Sequence, residues 1–192
     1  MTSGRIEAFS DGVLAVIITI MVLELKVPHG DSLAALAPMC PSFLAYVLSF
    51  VYVGIYWNNH HHLMHTVKRV TGGVMWANLH LLFWISLFPL LTAWAGEYPS
   101  ANWPAALYGV VLLAAAIAWL ILQRAIIRAG GTLQRAIGSD LKGKLSPLLY
   151  ATGIALAFVR PWAAEIAYAV VAAIWVIPDR RIESDLRSEG DA

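Results

Sequence analysis

The sequence predicts an all-α, polytopic membrane protein, and three observations carry that prediction. Apolar residues make up 59% of the 192 positions and charged residues 13%, against about 25% charged in a soluble domain. The mean hydropathy is +0.68, and only a bilayer solvates that much apolar side chain. The apolar residues also gather into six runs separated by short polar or proline-bearing segments, and a spanning helix needs about 20 mostly apolar residues.

The first run extends from about Ile6 to Val27 and stops at Pro28, which removes an amide donor and pushes the residue before it out of helical conformation. The second runs from about Pro41 into the region of Trp57 and continues toward His65. The third covers Val74 to Ala95 and the fourth Trp103 to Ile127. The fifth covers Leu145 to Val159 and the sixth Trp162 to Ile177, and the Arg160-Pro161 step forbids one continuous straight helix across them. These last two are short. Their helices would measure about 23 Å, less than a ~30 Å hydrocarbon core. The expected organisation is one transmembrane unit over residues 1–178 and a charged tail over 179–192.

Charge sets the orientation, because cytoplasmic loops collect Lys and Arg. With the amino terminus inside, the cytoplasmic segments hold Arg5, Lys68, Arg69, Arg124, Arg128, Arg135, Lys142, Lys144, Arg180, Arg181 and Arg187. The other side holds Lys26 and Arg160. Both termini are therefore expected in the cytoplasm. Trp57, Trp76, Trp94, Trp103 and Trp162 fall near expected helix ends, as interfacial tryptophans do. No cleavable signal is expected, since Arg5, Glu7 and Asp11 precede the first apolar run without a small-residue cleavage site after it. The net charge of +1 gives no field that would recruit nucleic acid. One cysteine, Cys40, excludes an intramolecular disulfide and reads as a small apolar filler. The short loops leave no room for an extramembrane catalytic domain, and no internal repeat is evident.

The first helix carries the most information. Gly12, Val16, Thr19, Ile20, Leu23 and Val27 follow i, i+3, i+4, i+7 spacing and share one face. Thr19 is the only hydroxyl on it. Such a face packs well against a copy of itself in lipid, and apolar stripes are also common in ordinary membrane helices. Asp11 points away from the stripe, near one membrane boundary, and Glu24 and Lys26 lie near the other.

Arg5-x-x-x-Phe9-Ser10-Asp11 stands at the start of this helix, followed by Gly12-Val13, Thr19 and Leu23-Glu24-Leu25. With these residues the chain resembles the transmembrane protein 175 family of potassium channels, whose signature is Arg-x-x-x-Phe-Ser-Asp. The likeness covers the first helix almost completely. It extends more loosely to Trp57 with the histidines after it and to the stretch from Asn78 to Leu87. The resemblance implies a potassium-permeable cation channel with no enzymatic activity and no cofactor. Like the family, this sequence lacks a Thr-Val-Gly-Tyr-Gly filter. With one six-helix repeat it resembles the prokaryotic members, which implies a homotetramer in the plasma membrane, with the first helix of each subunit lining a central pore. Carried over position by position, Val16, Ile20 and Leu23 form the hydrophobic constriction and gate, and Val16 is smaller than the isoleucine or leucine of the pattern. Thr19 offers a ring of oxygen ligands for weak selection among monovalent cations.

The cluster Asn58-Asn59-His60-His61-His62-Leu63-Met64-His65 admits three readings. It is the polar end of the second helix; it joins a buried polar network; or it ligates metal. His61 and His65 share a helix face at i, i+4, but no His-Glu-x-x-His arrangement exists for zinc hydrolysis, and no metal is expected. On the family likeness, a structural network of Arg5, Phe9, Ser10, Asp11, Trp57, a histidine and Asn78 holds the pore helix in one rotation; His61 is taken as the histidine, although the sequence does not choose among His60, His61 and His62. Two competing functions remain. A proton-coupled membrane carrier would use Asp11, Glu24 and the histidines, yet the two carboxylates sit near opposite ends of the helix. A membrane enzyme or haem protein would need polar side chains deep in the bundle, where helices four to six offer almost none.

Overall fold

The computed structural model describes residues 2–130 and 141–176. Among these residues all regular structure is helical. The helices are α1 (Ser3–Leu23), a 3-10 segment (Leu33–Met39), α2 (Cys40–His65), α3 (Gly72–Ser86), α4 (Phe88–Glu97), α5 (Asn102–Arg128), α6 (Leu141–Ala157) and α7 (Pro161–Val176). Four segments are long and apolar enough to cross a membrane: α1, α2 with its 3-10 lead, α3 with α4, and α5. The last two helices have 17 and 16 residues and are the short pair expected. The tail over 179–192, the residue 178 boundary, and Arg135, Arg180, Arg181 and Arg187 lie outside the described residues.

The fifth expected helix starts at Leu141 rather than Leu145, and three further differences from the sequence expectation bear on the site. α1 ends at Leu23 rather than Val27. Its last turn tightens, with the Leu25 amide donating to the Val22 carbonyl at 3.2 Å, a common way to satisfy a helix end. Lys26 then leaves the axis to pair with Glu97 at 3.1 Å, and Pro28 bars Val27 from helical geometry. Val27 is therefore not part of the stripe on α1. The second difference is the 3-10 segment before α2, which carries Pro38. Third, the run from Val74 to Ala95 is two helices broken at Leu87. Pro89 has no amide hydrogen for the Ile85 carbonyl and its ring crowds that turn. α5 matches its expected span to within one residue at each end.

α1 packs on α2, α3 and α4, while α6 and α7 pack on α5 and each other. Tyr52, Tyr56, Phe88, Tyr108, Tyr150 and Tyr168 are all buried and form the aromatic centre of the core. The hydroxyls of Tyr52, Tyr108 and Tyr168 have partners, as most buried polar atoms do. Ser49 Oγ lies 2.6 Å from Thr92 Oγ1 and 2.7 Å from Tyr108 Oη. The Tyr52 hydroxyl donates to the Tyr168 carbonyl at 2.6 Å, and the Tyr168 hydroxyl to the Ala105 carbonyl at 3.1 Å. Glycine permits this approach: a Cβ on Gly109 or Gly153 would overlap the Tyr168 side chain.

Candidate functional site

α1 lies at the edge of the bundle and has two faces of opposite fate. Ile6, Ser10, Leu14, Ile17 and Met21 recur at helical spacing and are buried against the rest of the subunit. On the far side, Val16 is 55% exposed, Ile20 42% and Leu23 80%, and Gly12 and Thr19 are exposed beside them. The stripe read from the sequence, without Val27, is this outward face. Among the described residues nothing lies within 4 Å of where a Gly12 Cβ would sit, so no described helix of the same subunit covers that position. An open groove flanks the stripe, walled by Phe9, Gly12, Val16 and Ile20 on α1 and by Pro89, Leu90 and Ala93 on α4.

Thr19 is the polar element of this face. Its hydroxyl donates to the Val16 carbonyl at 2.8 Å, a backbone bond that threonine makes readily in a helix. The single hydroxyl proton is thereby committed to the backbone. What the side chain offers outward is oxygen lone pairs, the half of a hydroxyl that a cation binds.

Behind this face runs a buried polar relay. His60 Nε2 donates to Asn78 Oδ1 at 2.8 Å, Asn78 Nδ2 donates to Ser10 Oγ at 2.9 Å, and Ser10 Oγ donates to the Ile6 carbonyl at 2.9 Å. All three side chains are buried. Each amide atom of Asn78 has one role, so its orientation is determined by its two neighbours. The relay joins α2 and α3 to α1 and opposes rotation of α1 about its own axis. His60 Nδ1 is buried with no partner among the described residues.

The seven-residue network expected from the sequence is thus only partly assembled within one subunit. Ser10 and Asn78 meet, and the histidine between helices is His60 rather than His61. α2 buries Ser49, Tyr52, Val53, Tyr56, His60, Leu63 and Met64, a 3.6-residue rhythm that carries His60 inward and turns His61 about 100° away. That rhythm was the available signal in the sequence. Trp57 and Phe9 are exposed and so is Arg5, while Asp11 is half-buried. None of the four makes a side-chain hydrogen bond to the relay among the described residues.

His61 instead faces the start of α1. Its Nδ1 donates to Glu7 Oε1 at 2.6 Å, and its Nε2 lies 3.3 Å from His65 Nε2. Trp84 Nε1 donates to His80 Nε2 at 2.9 Å on the outer surface of α3. At the opposite end of the bundle the Lys26–Glu97 pair ties the exit of α1 to the end of α4. It is well exposed, and such pairs contribute little to stability.

The model of the family described as endosomal/lysosomal potassium channel TMEM175 matches residues 5–89, which hold α1 through most of the break between α3 and α4. A potassium channel of Chryseobacterium sp. (strain P1-3) is 57% identical over 97% of this chain and 99% of its own length. The crystal structure of a lysosomal potassium-selective channel TMEM175 homolog from Chamaesiphon minutus superposes with a TM-score of 0.80 at 32% identity, over 91% of this chain and 96% of that one. The endosomal/lysosomal proton channel TMEM175 of Gallus gallus is 34% identical over 51% of this chain but only 22% of its own length. Near-complete coverage by a bacterial relative, a matching fold and a family match that takes in α1, α2 and α3 lead to one conclusion: the chain is a multi-pass membrane protein that belongs to the TMEM175 family.

Proposed function

We propose that the chain forms a homotetrameric, potassium-permeable cation channel in a prokaryotic plasma membrane, with both termini cytoplasmic and α1 of each subunit lining the pore. The observation that carries this reading is the outward face of α1: an apolar, subunit-uncovered stripe interrupted by one hydroxyl whose proton is already bonded. Around a four-fold axis the stripe would become stacked rings. Leu23, Ile20 and Val16 would form a constriction that closes by expelling water rather than by a charged plug. Thr19 would supply oxygen lone pairs to a passing cation. Four hydroxyl oxygens replace little of a hydration shell, so selection for potassium over sodium would be modest. The Ser10–Asn78–His60 relay serves this pore by holding α1 in the rotation that presents the stripe.

The names of the bacterial relatives favour potassium, and the vertebrate relative named a proton channel raises protons as a second permeant ion. A proton-coupled carrier needs titratable groups at mid-membrane on α1, where the residues are Val16, Thr19 and Ile20. The test is the reversal potential of purified protein in a planar bilayer with potassium on one side and sodium on the other. A value displaced toward the potassium equilibrium supports the reading. A value that follows only a pH gradient overturns it in favour of protons.

A further inference from the structure

We propose that Glu7, His61 and His65 form a binding site for a divalent transition cation of the zinc class, which ties the second turn of α1 to α2. The three side chains come from two helices, and one ligand atom from each lies within 4.8 Å of the others. His61 and His65 stand one turn apart on one face of α2, where imidazoles project side by side. Their Nε2 atoms are 3.3 Å apart. A tetrahedral centre with metal–nitrogen bonds of about 2.0–2.1 Å holds its ligand atoms about 3.3–3.4 Å from one another. The two nitrogens therefore already span one edge of such a site.

Glu7 completes the chemistry from the other helix. Its carboxylate accepts from His61 Nδ1 at 2.6 Å, which leaves Nε2, the nitrogen facing His65, as the lone-pair donor. A carboxylate on one imidazole nitrogen and a metal on the other is the usual way a protein orients a histidine ligand and raises its basicity. A small rotation of the Glu7 side chain would alternatively bring its second oxygen to the metal. Imidazole with carboxylate favours zinc, copper or nickel over magnesium or calcium. The histidines are open to solvent, so water can fill the remaining positions. None of the three residues belongs to the Ser10–Asn78–His60 relay, so replacing them leaves that relay's hydrogen bonds in place.

Isothermal titration of the tag-free, detergent-purified protein with Zn2+ tests the site without reference to conduction. The expected result is saturable binding of one ion per subunit, abolished in His61→Gln/His65→Gln and weakened about 10–100-fold in Glu7→Gln. Zn2+ should also raise the melting temperature of the wild-type protein and leave that of the double variant unchanged. A matching size-exclusion profile shows that the double variant is folded. No saturable binding by the wild-type protein overturns the proposal. Unchanged affinity in the double variant does the same, since it moves the ion to other ligands such as Cys40 or His29. Unchanged affinity in Glu7→Gln overturns the tie to α1.

Discussion

Asn78 Nδ2 donates to Ser10 Oγ at 2.9 Å across 68 positions of sequence, and this contact fixes how α1 is turned relative to α3. It works because Asn78 is held from its other side by His60. Replacing Asn78 with leucine keeps the branched heavy-atom shape but leaves the buried His60 N–H without its acceptor and the Ser10 oxygen without its donor. Leaving such groups unpaired costs about 1–3 kcal/mol each in general, although partners available in the unfolded membrane-inserted state reduce that. Asn78→Leu should therefore lose about 1–2 kcal/mol in equilibrium unfolding in mixed micelles. An unchanged transition would show that the relay does not hold α1.

Adjacent histidines should behave differently. His60 is buried and bonded within the bundle, whereas His61 is exposed and paired with Glu7. His60→Ala should lower stability by about 2 kcal/mol, from lost packing and an unpaired Asn78 oxygen. His61→Ala should change it by about 0.5 kcal/mol or less, as for exposed pairs in general. Parallel melts of the two variants check this, and equal effects would place both side chains wrongly.

This contrast also marks what the sequence made legible. The outward stripe was readable because Gly12, Val16, Thr19, Ile20 and Leu23 repeat at helical spacing in a helix with one hydroxyl on that face. The partner of Asn78 was harder to read, because three consecutive histidines offer three rotations and the choice rests on where the buried rhythm from Ser49 to Met64 falls. Pro89 was visible but sits inside an unbroken apolar run, so composition alone ran one span through Leu87. α1 ends at Leu23, ahead of the visible stop at Pro28, and Lys26 beyond it meets Glu97, a contact between distant segments that no local pattern shows. Arg5, Phe9, Asp11 and Trp57 were grouped through family likeness, and within one subunit they point outward or stand apart from the relay.

Gly109 should tolerate no side chain. A Cβ there would overlap the Tyr168 hydroxyl and lie 2.8 Å from Ile154 Cγ1. The Tyr168 ring cannot withdraw freely, because its hydroxyl bonds the Ala105 carbonyl and its own carbonyl receives Tyr52. Overpacking of this kind costs about 1–3 kcal/mol. Gly109→Ala should show that loss on unfolding, and removing the hydroxyl in Gly109→Ala/Tyr168→Phe should not restore it fully, since the ring and Ile154 still crowd the new methyl.

The constriction predicts a gain of current. Leu23 and Ile20 project from the free face of α1 and touch little of their own subunit, so shortening them disturbs the fold little. Ile20→Ala/Leu23→Ala widens and shortens the apolar segment that a water column must cross. Single-channel recording should show conductance or open probability raised several-fold. Current indistinguishable from wild type would remove these residues from the gate.

Thr19 allows the sharpest separation of selectivity from stability. Thr19→Val replaces the hydroxyl by a methyl of similar size on an exposed face, and among the described residues that hydroxyl bonds the Val16 carbonyl of its own helix. Surface substitutions of this kind stay within about 0.5 kcal/mol, so a change in permeation cannot be assigned to misfolding. The valine ring offers no lone pairs, and the potassium-over-sodium reversal shift should collapse toward zero while current persists. Thr19→Ser keeps the oxygen and can keep its backbone bond, so it should retain most of the shift. If valine and serine behave alike, the oxygen is not the selecting group, and selection must come from the width of the apolar rings above and below it.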